Sequence, residues 1–456
     1  MTILPLCIYM EVFSSMAIMN WKELLSPHRL CTDTPGKITP ERSPFQRDFD
    51  RIVFSGSFRR LQDKTQVFPL SGSSDIHTRL THSMETGSIA RSLGTAAGVF
   101  ICKESDTGGA HPSDIGAAVA AAALAHDIGN PPLGHAGEEA IRYWFENSDA
   151  GKAISGEMSE EERADISKYD GNAQGFRIMT KLEMPDRSGG MQLTCATLGT
   201  FAKYPGTATS GLKKCGFFQQ EKEYFAEVAQ FCGMLRINGN SWARHPLSFL
   251  LEAADDIAYL TVDFEDAMRQ GIIDYPELEK NYLDIIDSDA TRTYVATLSS
   301  SRRKAEYLRA QAIGILVRSA ADEFIRHHDE LLTGTWSTPL TESIPQQAVL
   351  KRIRERSVSG IYNHPSIAEV IGAGFELVTG MLDIFVPCVS EIDHEKCGGR
   401  RATTRSRRIA AMLPEMFSQS DPRSAYCRLL GVLDYISALS DRNAVSLYQK
   451  LKGISL

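Results

Sequence analysis

A run of small apolar residues, broken off abruptly by polar ones, sets the tightest limit on how this chain can fold. Residues Ala117 to Glu139 read AAVAAAALAHDIGNPPLGHAGEE. Alanine at 117, 118 and 120 to 123 favours helix and lets neighbouring helices approach closely, so the run predicts a buried central helix. Asn130, Pro131 and Pro132 follow Gly129 and cannot continue it. The helix therefore ends inside the protein with His126 and Asp127 at its mouth. Successive helical residues diverge by about 100°, yet one divalent ion beyond the last turn can take both side chains. The pair alone is equally open to a plainer reading, a buried imidazole and carboxylate hydrogen-bonded to their surroundings.

The rest of the sequence is that of a soluble helical protein. Its 456 residues suffice for two or three average domains or one large helical one. The net charge of −8 gives no reason to expect bulk nucleic-acid binding, so attraction for an anion has to come from a local patch. Nine dispersed cysteines without a CxxC read as reduced thiols in a cytoplasmic protein, with Cys195, Cys215 and Cys232 as small core residues. The first eighteen residues are apolar but lack a basic start and carry Glu11. They are too short and interrupted to span a bilayer, and they read as an extension ahead of Met19; no membrane association is expected.

Residues 20 to 50 are polar and proline-punctuated, which predicts an arm. Phe49, Ile52, Val53 and Phe58 have helical spacing between Phe45 and Leu70, ended by Pro69 and the SGSSD loop. A second helix is expected from Arg79 to Gly94, with Leu80, Met84, Ile89 and Leu93 inward, and a short one from Glu138 to Glu146. The acidic stretch 147 to 171 has little periodicity and reads as a surface excursion. Helical patterns resume at 172 to 182 and continue at 221–235, 246–270, 293–332, 346–358, 365–388, 405–417 and 423–451. With few convincing strands and no internal repeat, the fold class is all-α.

The segment beginning at His245 carries a second constellation. Leu247, Leu250, Leu251, Ala254 and Ala258 form an apolar stripe, while Asp255, Tyr259 and Asp263, at i, i+4 and i+8, share another face. That face is either solvated or turned toward a cation and a polar ligand. Histidines for the second case exist: His82 lies one turn after Arg79, and His135 one turn before Glu138. Imidazole and carboxylate ligands suit Mn, Fe, Co, Ni or Zn, and the carboxylates also hold Mg. His82, His126, Asp127 and Asp255 thus make a candidate four-ligand set from three helices, with coordination positions left for water and substrate.

At this point the sequence resembles the HD-domain superfamily, specifically the deoxyguanosinetriphosphate triphosphohydrolase-like family. The matching segments are ERSPFQRDFDRIVFSGSFRRLQDKTQVFPL, TRLTHSMETGSIARSLG, LAHDIGNPPLGHAGEEA, GNAQGFRI, FAKYP and EAADDIAYLTVDFEDA, in the family's order from residue 41 to 267. The resemblance implies an HD helical bundle over 45–275, an extension and arm over 1–44, and further helices packed on the core over 276–456. It implies hydrolysis of a deoxynucleoside triphosphate, with dGTP the default, to deoxynucleoside and tripolyphosphate. His82, His126, Asp127 and Asp255 would hold the metal, Mn or Mg first, and His135 with Glu138 would act near the scissile bond. Gln66 matches a position that reads the sugar 3′-hydroxyl, Arg79, Lys203 and Tyr204 match phosphate contacts, and Tyr259 and Asp263 match residues lining the sugar. The C-terminal ALSDRNAVSLYQKLKG resembles the family's terminal motif, except that Asn443 stands where an aromatic is usual. In that motif Arg442 is expected at an active site, its own or a neighbour's. The family's habit is a homo-oligomer.

The implied chemistry is physically coherent. A metal lowers the pKa of water from about 15.7 toward about 7 and so supplies a nucleophile against the α-phosphorus. Arg79, Lys203 and Lys214 would clamp the phosphates. His135, held by Glu138, would protonate the departing 5′-oxygen or orient the water. Tyr259 against the sugar leaves no room for a 2′-hydroxyl, its alternative being a core aromatic tied to Asp255 or Asp263. The basic run 400–408, RRATTRSRR, is either a solvated surface or an anion site for single-stranded DNA or a nucleotide effector. Two rival functions share the ligand set: a phosphohydrolase of nucleoside monophosphates or other phosphoesters, and a non-catalytic nucleotide sensor.

Overall fold

The computed structural model describes residues 17–33, 42–67, 76–413 and 424–454. The extension before residue 17, the Pro69 turn and the end of the 405–417 helix lie outside them. The protein is all-α: among the described residues the only strands are Arg236–Asn238 and Ser241–Trp242, paired antiparallel. The helices that position the site, in chain order, are α1 (Pro44–Val53), α2 (Arg79–Glu104), α3 (Pro112–Ala125), α4 (His135–Asn147), α5 (Cys195–Phe201), α6 (Leu247–Ala258), α7 (Ser301–Arg326), α8 (Pro365–Lys396), α9 (Ala425–Ser437) and α10 (Asp441–Leu451).

The alanine-rich run forms the buried helix α3, every residue from Asp114 to Ala125 being buried. Its small side chains let α2 pack along it at backbone range. A Cβ at Gly94 would lie 2.9 Å from the Cα of Gly116, so the pair of glycines fixes the interhelical distance. Helices α1, α5, α6 and α2 surround α3, and α7 closes the far side against α2 and α6. This is one apolar core. A second gathers α4 with the face of α8, α9 and α10, anchored by Trp144, Phe385, Leu430 and Leu433. Burying each such side chain contributes about 1.5–3 kcal/mol.

Several expectations need correction. The 45–70 segment is not one helix: it breaks at Phe54, where Ser55 Oγ accepts from the Phe58 amide and starts a new helix, Gly56–Arg60. Met84 faces outward at 56% exposure, because α2 continues to Glu104 and its buried face follows Ile89 and Leu93. The supposed excursion 147–171 is two short capped helices, Asp149–Ser155 and Glu160–Ser167. They bury Ile154 and Ile166, along with Met158 and Tyr169, in the second core. A helix at Tyr275–Ile286 was not expected, and 293–332 divides into three. One helix holds a stretch, Ile367–Lys396, long and apolar enough to cross a membrane; half of its most apolar window is buried inside the protein.

Candidate metal centre

His82 sits one turn into α2, His126 caps the C-terminus of α3, and Asp255 lies on α6. Their ligand atoms all fall within 4.8 Å of one another. His82 Nε2 is 3.2 Å and His126 Nε2 is 3.4 Å from the same oxygen, Oδ1 of Asp255. His126 Nδ1 donates to the Ala123 carbonyl at 2.7 Å, which turns Nε2 toward two carboxylates, Asp127 and Asp255. His82 Nε2 faces the same carboxylate, so two imidazole nitrogens and anionic oxygens surround one point, where a proton or a metal cation offsets the carboxylate charge. Although burial pulls the His126 pKa down, Asp127 and Asp255 outweigh it and raise it to about 8. The donor set therefore fits a divalent ion.

Asp127 adjoins this trio, its Oδ2 3.5 Å from His126 Nε2, and is held from two sides. Arg79 donates to Oδ2 at 2.8 Å and the Asn130 amide to Oδ1 at 2.5 Å. Burial raises the Asp127 carboxyl, but His126 and Arg79 keep it well below the usual carboxylate range. Three of the four expected ligands thus converge directly, and the fourth is oriented beside them. Lys203, at the exit of α5, donates to Oδ2 of Asp255 at 2.7 Å. Two of the expected phosphate contacts, Arg79 and Lys203, accordingly stand beside the centre bound to its carboxylates.

The remaining expected residues form two flanks. On one, His135 Nδ1 is 3.0 Å from Oε2 of buried Glu138, whose Oε1 accepts from the Gly171 amide at 2.7 Å. His135 itself is 79% exposed on its side chain. Lys214 reaches Asp170 at 3.7 Å and lies 5.7 Å from the centre of the Tyr204 ring, so Tyr204 and Lys214 belong to the same flank. The close approach behind them is enforced at Gly129, where a Cβ would fall 2.1 Å from the Gly171 carbonyl.

On the other flank, α6 widens into a π-helical turn over Tyr259–Asp263. The extra residue breaks the strict i, i+4, i+8 face. Tyr259 is half-buried and stacks on Tyr362, 5.7 Å between centroids, and Tyr362 lies in another π turn, Ser357–Tyr362. The Tyr362 hydroxyl donates to Asp263 at 3.5 Å. Burial and then Asp266 push the Asp263 carboxyl well above its ordinary value. Gln66 is half-buried with an inaccessible, unpartnered Oε1. Arg442 is 69% exposed and pairs with Asp63 at 3.2 Å, so within this chain it stays at the surface. The 400–408 arginines are exposed, and Arg407 pairs with Glu395.

Some supporting residues escaped the sequence reading. Asn130 looked like a helix stop and in fact steers Asp127. Lys64, buried and lowered by that burial to about 7, donates to the carbonyls of Asn130 and Ser437 at 2.5 and 2.6 Å. Asp441, at the start of α10, accepts from the amides of Thr65 and Leu133. The C-terminal helices thereby hold both loops that enter the centre. Lys64 stood in a quoted segment; Tyr362, about a hundred residues from Tyr259, carried no sequence signal.

The HD domain family model matches residues 79–177. A deoxyguanosinetriphosphate triphosphohydrolase-like protein from Synechocystis sp. is 40% identical over 455 residues, covering 96% of this chain and all of the relative. The chain belongs to this HD-domain family. Another triphosphohydrolase-like member, from Pseudomonas aeruginosa, is 38% identical over 96% of this chain and 99% of its own. A deoxyguanosinetriphosphate triphosphohydrolase from Salmonella typhimurium is 27% identical over 96% of this chain and its own full length. With the His82–His126–Asp255 trio, membership makes the protein a metal-dependent phosphohydrolase.

Proposed function

We propose that the protein hydrolyses deoxynucleoside triphosphates, dGTP foremost, to deoxynucleoside and tripolyphosphate. The observation that carries this is the pairing of a three-helix metal centre with two fixed cations, Arg79 on Asp127 and Lys203 on Asp255. A divalent ion held by His82, His126 and Asp255, with Asp127 as fourth ligand, supplies Lewis acidity at an α-phosphoryl group and lowers the pKa of water there. Arg79 and Lys203 offer guanidinium and ammonium donors to an oligophosphate, with Tyr204 and Lys214 extending the cationic wall. His135 protonates the departing 5′-oxygen, its ring steered by Glu138. On the opposite flank, the Tyr259–Tyr362 stack forms the wall against the sugar and leaves no partner for a 2′-hydroxyl. Asp263 in its neutral form, with Gln66, provides hydrogen bonds to the 3′ side.

The dGTP preference is supported by the names of the relatives alone. We also propose a cytoplasmic homo-oligomer whose 400–408 arginines take single-stranded DNA or a nucleotide effector, which the eight free described cysteines and the exposure of that run favour. The test is incubation with each deoxy- and ribonucleoside triphosphate, and with the monophosphates, plus Mn or Mg in ¹⁸O-water, with every product resolved. Tripolyphosphate bearing one ¹⁸O and unlabelled deoxynucleoside are expected. Orthophosphate from a nucleoside monophosphate would replace this reading with a monophosphatase, and labelled deoxynucleoside would move the attack to carbon.

A further inference from the structure

We propose that the groove between α1 and the 184–191 loop binds a chain of phosphates, apart from the metal centre. Its cavity of 520 Å³ is lined by four guanidinium groups, those of Arg42, Arg47, Arg51 and Arg187. The nearby carboxylates are committed. Asp50 pairs with Arg42, and Asp48 is buried, taking Arg29 at 2.7 Å and the amide and hydroxyl of Thr194. Arg47 and Arg187 are exposed and have no carboxylate within ion-pair distance among the described residues. Arg51 donates to the carbonyls of Met191 and Gln192 at 2.7 and 2.6 Å, which fixes it in the wall without neutralising it. Burial and then Arg29 pull the Arg51 pKa below its ordinary value; Arg187 and Arg47 add to this and Asp48 opposes it.

Like charges held this close repel, and an anion lying among them removes the repulsion while gaining charge-assisted hydrogen bonds. Spaced guanidinium forks suit several phosphoryl groups better than one small ion. The remaining wall is apolar. Phe54 is 74% exposed next to Met184, a surface on which a planar base can stack. The shared chemistry is an oligophosphate, whether free or carrying a nucleoside. None of the lining residues belongs to the metal centre, so the inference does not rest on the catalytic reading.

Calorimetric titration of the full chain with inorganic tripolyphosphate, in EDTA, decides it. Binding beyond that at Arg79 and Lys203 is expected, and the double variant R47A/R187A, which alters only exposed side chains, weakens one event by about tenfold or more. The other event, at Arg79 and Lys203, stays as it was. An isotherm unchanged by the double variant overturns the proposal. So does a groove that takes a single-stranded oligonucleotide but no tripolyphosphate. A non-hydrolysable deoxynucleoside triphosphate that binds the groove more tightly than tripolyphosphate, with the gain lost in Phe54→Ala, identifies the nucleotide as the source. Equal binding by the two identifies the free oligophosphate.

Discussion

Around Arg177 all three kinds of guanidinium nitrogen end on fixed acceptors, whereas at the mouth of α3 two imidazole Nε2 atoms and two carboxylates turn toward one another. Arg177 Nε and Nη2 form a bidentate pair with Asp434 at 2.8 Å, and Nη1 reaches Glu221 at 2.6 Å. Gln174 adds a further donor to Asp434. Both clusters bury charge in apolar surroundings. The Arg177 cluster is closed and joins the HD core to α9. The His82–His126–Asp255 cluster is arranged for a positive charge that arrives from outside. A buried charge whose partners are all internal serves architecture, and one whose donors converge on a common point serves a ligand.

The largest effect that tests this contrast is removal of a ligand. His126→Ala is expected to lower metal-dependent turnover by about a thousandfold or more while circular dichroism keeps its helical signal. Turnover close to wild type would show that the trio does not hold the working ion. On the closed side, Arg177→Met leaves Asp434 buried without its cation and Glu221 with only Lys181, at 3.8 Å. Denaturant melts should show a loss of about 3–5 kcal/mol, with Mn affinity of the folded protein kept within about twofold. A large fall in Mn affinity would mean that the two clusters are one unit.

Asn130→Ala probes the orientation of Asp127 without removing a ligand. Its expected cost is about 10–100-fold in metal affinity by titration, with little change in melting temperature. The last effect is electrostatic and belongs to the second core. Burial raises the Asp165 carboxyl to about 7, against the pull of the Tyr426 hydroxyl and the Gln219 amide. Its folded value lies above the unfolded one of about 3.9, so the native state binds more protons between those limits. Stability from this group is therefore present at low pH and is lost as pH rises through about 7. Melting temperature followed from pH 4 to 8 should show that decline, and Asp165→Asn should flatten it. An equal slope in the variant would assign the decline to another group.

The centre was legible because its chemistry is local to short segments. The alanine run predicted α3, the Pro-Pro stop put His126 and Asp127 at its end, and helical spacing brought Asp255 to the inner side of α6. What failed was set by distant partners. Met158 and Tyr169 look like sparse apolar residues in an acidic stretch until α8 and α9, more than two hundred residues later, cover them. The Tyr259–Tyr362 stack depends on two π turns, which 3.6-residue periodicity cannot reveal. Arg177 stood in the quoted GNAQGFRI segment, but its acceptor Asp434 had no reason to be paired with it from sequence. The stop at Asn130 was read for its backbone alone, and its side chain proved to matter more.

Anomalous diffraction from crystals grown with Mn tests the central claim most directly. The account predicts a manganese peak bonded to Nε2 of His82, Nε2 of His126 and a carboxylate oxygen of Asp255, with Asp127 turned to the same ion. Manganese bound elsewhere, or density with Lys203 still on Asp255 and no ion between the imidazoles, would contradict it.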